Sequence, residues 1–439
     1  MVEGLLSPLL IAALSLILLL VLLAIGTPIA VSLAATGFVG LVLLRGVDIA
    51  INPFGLLPFS TVATWTLIVV PLFVLMGELA YGGRISEDAF RASRNWLGHL
   101  PGGLAISAIA ACAAFACACG SSMATAVTMG RLSIPQMKKA GYDDRLATGS
   151  VAAGGLLGIM IPPSVPFVIY GLITDESIGR LLIAGIIPGI CTAIIFGATV
   201  FLQVKKNPAI APVTQPAPWK DKVDSLKTAW SPFVLFFIVI GGIYFGVFTP
   251  TEAAAAGALA AFIFVLFRAK KRFSVIKTCA ADTARTTGMI FMIFIGAAIF
   301  SMFINLSGLP AWLVELATSL AAPRIVTLSL ILLVYIPLGM FLDPMSMILI
   351  TLPLTYPIVK ALGFSGIWFG VMIVKMIEIA NITPPVGLNV YVIKGIAPEV
   401  PIESIFRGIS WFIVAEIVVV VLLVAFPQLA LWLPAIAFD

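Results

Sequence analysis

Charge is what this sequence has least of. Asp, Glu, Lys and Arg make up 10% of its 439 residues, against about 25% in a soluble globular domain. With 61% of residues hydrophobic, too little polar surface exists to face water on all sides, which excludes a soluble fold. The chain has a single histidine, His99, and this rules out any site needing two. Placed before Leu100-Pro101, it reads as an interfacial residue at a helix entrance. The five cysteines (Cys112, Cys117, Cys119, Cys191, Cys279) fall in apolar segments without zinc or disulfide spacing, and read as small packing residues. No Walker loop, His-Glu-x-x-His or Gly-x-Ser-x-Gly run occurs, so a catalytic constellation is missing and an enzyme is not expected. A net charge of +5 does not point to nucleic acid, because the basic residues lie between apolar runs and not along one face.

Apolar runs are what the chain does have. Leu5–Ile25, Phe233–Phe248 and Ile413–Phe426 approach or reach the ~20 residues that cross a bilayer. The first run lacks a basic n-region, since Met1 to Gly4 carries only Glu3, and reads as a retained span and not a signal peptide. The fold class is an all-α polytopic membrane protein.

The chain also repeats itself. At an offset of 222 residues, Pro101 matches Pro323, Met123 matches Met345, Pro135 matches Pro357, Lys138 matches Lys360, Gly141 matches Gly363, and Pro162-Pro163 matches Pro384-Pro385. Prolines and glycines dictate where helices start and stop, so two copies of one backbone plan are expected. Of the 25 Lys and Arg, 20 fall in five clusters, which taken as cytoplasmic anchors set the topology. Spans at 5–25, 28–45 and 58–80 and a surface helix at 84–94 make an N-terminal scaffold over 1–95. Transport elements of the first repeat follow over 96–203: a hairpin at 101–135, a broken helix at 146–172 and a helix at 181–203.

The hairpin has basic flanks at both ends, so it enters and leaves on one side; such a re-entrant segment must bury its tip in protein or a cavity. A cytoplasmic linker at 204–230 divides the repeats. Scaffold helices and an outer arm helix, including a span at 286–306 and an amphipathic piece at 309–320, fill 231–322. The second transport elements fill 323–439: hairpin 323–357, broken helix 365–394 and last span 409–433. The second copy runs in the opposite sense, leaving both termini outside. Inverted repeats with paired re-entrant hairpins and broken helices are the plan of a secondary transporter, with its binding site where the breaks meet.

Ser121 and Ser122 stand where the second arm of hairpin one begins, and Asp343-Pro344 begins that of hairpin two. These helix starts aim partial positive charge at an anionic substrate, though plain capping accounts for the side chains as well. Pro162 and Pro163 free the carbonyls of Gly158 and Ile159, and Pro384 and Pro385 free those of Ala380 and Asn381. A freed carbonyl at membrane depth needs a hydroxyl, a water or a cation. Ser164, Thr383 and Asn381 stand beside the breaks and would complete an oxygen cage for sodium; a simple kink is the alternative. Lys375 and Glu378, three residues apart inside a span, neutralise each other. Glu78 and Glu416 are expected in structural hydrogen bonds or against a partner subunit.

The runs Gly120-Ser121-Ser122-Met123-Ala124-Thr125, Pro135-Gln136-Met137 and Gly141-Tyr142-Asp143 resemble the first-repeat signature of the large membrane subunit (DctM-like) of tripartite ATP-independent periplasmic (TRAP) transporters. Phe341-Leu342-Asp343-Pro344, Gly363 and Ile382-Thr383-Pro384-Pro385-Val386-Gly387-Leu388-Asn389 resemble its second. The resemblance covers nearly the whole chain. It implies an elevator-type carrier in the bacterial inner membrane, driven by two or more sodium ions. A separate small four-helix membrane subunit and a periplasmic substrate-binding protein would complete it, besides membrane lipid. The substrate would be an organic acid such as a C4-dicarboxylate, sialic acid or a 2-oxo acid. On this reading Ser121, Ser122, Thr125, Asp343 and Asn389 hold the substrate. Gly120, Ser122, Gly158, Ile159 and Ser164 serve one sodium region, and Leu342, Ala380, Asn381 and Thr383 the other. A sodium- or proton-coupled carboxylate carrier working without a binding protein is the nearest alternative. A channel would need no inverted copies.

Overall fold

The computed structural model describes residues 7–319 and 322–438. Met1–Gly4, the first two residues of the expected span 5–25 and residue 320 of the amphipathic piece lie outside the described residues. Among the described residues all regular structure is helical. Eight helices among these residues are long and apolar enough to cross a membrane, or up to nine if the bent pair Asp144–Met160 and Val165–Thr174 counts as one span.

The 222-residue offset reappears in the helix bounds. Hairpin one consists of Gly103–Cys119 and Ser122–Lys139, hairpin two of Arg324–Phe341 and Pro344–Ala361. Broken helix one is Asp144–Met160 with Val165–Thr174, broken helix two Gly366–Ile382 with Leu388–Ile396. Shifting Ser122–Lys139 or Asp144–Met160 by 222 lands on Pro344–Ala361 or Gly366–Ile382 residue for residue.

Local chemistry sets these limits. Gly120 closes the first arm of hairpin one at φ +69°, a conformation that a side chain resists. The Ser121 hydroxyl then accepts from the Ala124 N–H. In hairpin two, Asp343 accepts from the Met345 and Ser346 amides, and Pro344 occupies the first helical position, where its missing N–H costs nothing. Pro162-Pro163 and Pro384-Pro385, both cis, interrupt the two broken helices.

The scaffold shows the two-fold relation in its packing. Ile29–Arg45 lies along Arg272–Leu306, while its repeat-mate Pro250–Arg268 lies along Val69–Gly82. Small residues bring the first pair close: a methyl on Gly296 would stand 2.3 Å from the Ala30 carbonyl oxygen, and one on Gly37 2.9 Å from the Ile299 backbone. This is how membrane helices gain van der Waals contact where lipid offers no hydrophobic drive. In the transport half the long arms of the broken helices form the core. Every residue from Leu146 to Met160 and from Gly366 to Ile382 is buried, the mark of a helix enclosed on all sides.

Three segments differ from the sequence expectation, and a fourth, the linker, shows contacts the sequence did not specify. The stretch ahead of 58–80 is itself a helix, Val47–Val62, with Pro53 and Pro58 inside it, followed by a turn at Trp65–Ile68 and the helix Val69–Gly82. A proline removes one hydrogen bond, which packing against neighbours tolerates. The span expected at 286–306 is the end of one 35-residue helix, Arg272–Leu306. Its basic residues occupy helical turns because nothing between Arg272 and Thr287 breaks the ladder. The last span, expected at 409–433, runs Ile402–Ala425 and is followed by Gln428–Phe438, since Pro427 forbids helical geometry at Phe426. Finally, the linker is held down. Thr214 donates to the Gly98 carbonyl at 2.5 Å, Trp96 donates to the Lys222 carbonyl at 3.2 Å, and the Trp96 and Trp219 rings lie 5.8 Å apart.

Candidate functional site

Both hairpin tips open onto one cavity of about 600 Å³. The transport half contributes Cys119 to Ala124, Ile159 and Val165, and Asp343 to Met345 from the other repeat. The scaffold contributes Val74, Gly77, Glu78 and Tyr81 from Val69–Gly82, and Thr286, Met289 and Ile290 from Arg272–Leu306. The site therefore lies between the two halves of the molecule.

Hairpin one meets broken helix one in close contact. A methyl on Gly120 would stand 2.9 Å from the Pro163 carbonyl oxygen. One on Gly158 would stand 2.4 Å from the Ser121 carbonyl oxygen and 2.5 Å from Thr125 Oγ1. The Thr125 hydroxyl itself donates to that Ser121 carbonyl at 2.8 Å. Several oxygens of the first region thus converge where the tip touches the helix before its break, the donor set a hard cation takes. The Ile159 carbonyl, freed by the prolines, accepts from the Ser164 hydroxyl at 2.5 Å.

The second region is built alike with one difference. The Thr383 hydroxyl donates to the Ile379 carbonyl at 2.6 Å, and the Ala380 carbonyl accepts the Thr383 amide at 3.2 Å. Leu342 is buried at the tip of hairpin two, and Gly339, one turn before it, packs on Ala380. Asn381 is 1% exposed, and neither end of its amide has a hydrogen-bond partner. An orphaned amide oxygen so deeply buried is costly unless something binds it, and Asn381 Oδ1 beside the Thr383 hydroxyl fits a sodium ion.

Of the substrate candidates, Ser121, Ser122 and Asp343 face the cavity. Thr125 lies behind the tip, fully buried. Asn389 is not brought there: its Nδ2 donates to the Ala152 carbonyl at 3.2 Å, pinning the second half-helix of one repeat to the long arm of the other. Lys375 does pair with Glu378, at 2.5 Å, and also with Glu416 at 2.5 Å, while donating to Thr192 at 3.0 Å. All three ionic side chains are fully buried, so Glu416 belongs to this internal knot and not to a surface.

Arg131 is a further basic residue at the cavity, one that no motif in the sequence singles out. It lines the cavity together with Ala124, Val127 and Thr128. Their spacing of three, four and seven residues is one helical stripe, and it was readable from the position of the tip.

Fold and cavity together define a polytopic transporter of inverted repeats with a site between two halves. A family model described as the tripartite ATP-independent periplasmic transporter, DctM component, matches residues 16–429, and the chain belongs to that family. It is 33% identical over 379 residues to the C4-dicarboxylate TRAP transporter large permease protein DctM of Pseudomonas aeruginosa, covering 86% of this chain and 88% of that one. It is 32% identical over 422 residues to the ectoine/5-hydroxyectoine TRAP transporter large permease protein UehC of Ruegeria pomeroyi, covering 96% and 98%. In fold it is similar to the YdaH transporter of Alcanivorax borkumensis, with a TM-score of 0.61 at 15% identity over 88% of this chain and 91% of that one.

Proposed function

We propose that this chain takes up a small organic acid across the inner membrane on a sodium gradient, its hairpins and broken helices moving past the scaffold as an elevator. The observation that carries this reading is the shared cavity, in which both tips face two helices of the other half. Such a boundary is where a site must lie if one half carries the ligand past the other. Sodium at the tips would place positive charge where an acid docks, beside the amide-rich starts of the second arms. Ser121 and Ser122 would orient the acid, while Asp343 holds the start of the opposite arm by capping it. Gly158, Thr125 and the tip carbonyls would hold one ion, Ala380, Asn381 and Thr383 a second.

The linker 204–230 faces the cytoplasm and both termini the periplasm. The outer side then offers the short loops around Asp175, Thr251 and Lys360, the turn at Trp65–Ile68, and the helices Leu309–Ser319 and Gln428–Phe438. Selection of solute falls to a periplasmic binding protein that docks weakly on these loops, and a separate small membrane subunit completes the system. Vesicles holding this chain and its small subunit, with an inward sodium gradient, test the reading. Uptake is expected only after the loaded binding protein is added. Robust uptake of free acid without it would instead favour a self-sufficient carboxylate carrier.

A further inference from the structure

We propose that Arg131 recognises the carboxylate of the substrate in the cavity, an assignment that rests on the acid-carrier reading above. Arg131 sits on the second arm of hairpin one, ten residues after Ser121, about 15 Å further along the axis. Helical side chains lean towards the N-terminus of their helix, so its guanidinium extends back towards the tip. Between it and the tip lies the stripe Ala124, Val127 and Thr128, which also lines the cavity.

Among the described residues the Arg131 side chain forms no ion pair and donates no hydrogen bond. Its neighbours are engaged: Arg94 donates to Gln136 at 2.9 Å, and Lys138 to Glu399 at 2.6 Å. Arg131 is exposed, so its unpaired guanidinium stands on the open side of this ligand-sized cavity, where it presents a fork of donors matched to a carboxylate.

Two carboxylates share the cavity. Asp343 is occupied with capping the Met345 and Ser346 amides. Glu78 stands on the scaffold wall and does not travel with hairpin one. The carrying half therefore offers the ligand a cation, and the preferred substrate is an acid with an uncompensated negative charge, not a zwitterion.

A lysine would serve equally if Arg131 were only an anchor for membrane orientation, and this separates the two roles. The full-length chain in lipid nanodiscs is unfolded thermally in sodium chloride or choline chloride, with succinate, pyruvate or ectoine as probe. In sodium at least one of the two acids is expected to raise the midpoint, and ectoine is not. Arg131→Gln should need at least about tenfold more acid for the same shift, and Arg131→Lys several-fold more. Glu78→Gln should stay within about twofold. The shift caused by sodium alone, unchanged across the variants, reports that each has folded with its tips intact. Wild-type acid binding in Arg131→Gln overturns the assignment, and so does an equal loss in Glu78→Gln, which would mean amphoteric recognition. If no acid shifts the wild-type chain in sodium, the acid-carrier reading falls first and this one with it.

Discussion

Lys138 and Lys360, 222 residues apart, each reach a carboxylate of the opposite repeat. Lys138 Nζ lies 2.6 Å from Glu399, in the turn after broken helix two. Lys360 Nζ lies 3.5 Å from Glu176, in the turn after broken helix one. Tyr356 reinforces the second contact, donating to the same Glu176 oxygen at 2.6 Å. The two repeats are thus clasped at both ends of the transport half, each hairpin holding the other repeat's half-helix.

These clasps should act as ordinary electrostatic ties. The hydrogen bond from Lys138 holds the Glu399 carboxyl below its usual range. A depressed folded value means its contribution is complete above the ordinary carboxylate pKa of about 4.3 and fades as pH falls through the folded value. The midpoint difference between wild type and Glu399→Gln should therefore be flat from pH 8 to 5 and shrink below about 4. At the other end, Tyr356→Phe should cost about 1–2 kcal/mol, because Glu176 is only 19% exposed and accepts a charge-assisted bond. Thermal unfolding of both variants across pH checks the pair; a gap that widens on acidification would contradict the sign.

Sodium dependence should be sigmoidal, with two or more ions per cycle. Ser122 is 2% exposed at the first turn of its arm, so a leucine there intrudes on the tip. Thr383→Leu removes the hydroxyl beside the orphaned Asn381. Either change should raise the half-saturating sodium concentration about tenfold, the scale of one lost contact to a charge. Uptake against sodium concentration is the measurement, and full transport in potassium-only buffer would rule out the cages.

The orientation is open to direct labelling. Single cysteines at Ala217 and Ala437, in an otherwise cysteine-free chain, should differ in their reaction with an impermeant maleimide added to whole cells. Ala437 should label and Ala217 should not. Labelling of Ala217 from outside would invert the topology.

The buried knot yields a stability prediction. Lys375→Met leaves Glu378 and Glu416, both without exposed surface, lacking their cation, and should destabilise the protein by about 3–5 kcal/mol. Replacing all three ionic side chains with apolar ones of similar volume should recover most of that loss. Unfolding midpoints in detergent distinguish the two variants, and equal losses would show that the knot does more than pair charge.

Much of this architecture was written in residues that act locally. The offset proved legible because prolines and glycines fix the backbone wherever they stand, so Pro162-Pro163 and Pro384-Pro385 announced the breaks without tertiary information. Ser121 and Asp343 announced the tips for the same reason. What depended on distant partners was not legible. Glu416 lies 41 residues beyond Lys375, and only packing of Ile402–Ala425 brings it there. Asn389 stands in a motif, yet its amide turns to Ala152 because the half-helix leans on the other repeat. Arg131 carries no motif, and only the cavity wall, set by tertiary packing, distinguishes it from the other basic residues.

One asymmetry between the repeats has a mechanical side. Where the first repeat divides into Val47–Val62 and Val69–Gly82, the second keeps one unbroken rod, Arg272–Leu306. At 1.5 Å per residue it measures about 52 Å, well beyond a hydrocarbon layer of about 30 Å. The excess end carries Arg272, Lys277 and Arg285, charges that favour a headgroup layer over hydrocarbon. Such a rod cannot shift along the membrane normal without dragging charge through lipid. Its length gives the molecule a ruler: Thr286 and Met289 stand on it just past the charged end, and they mark the level at which the cavity and both hairpin tips meet it.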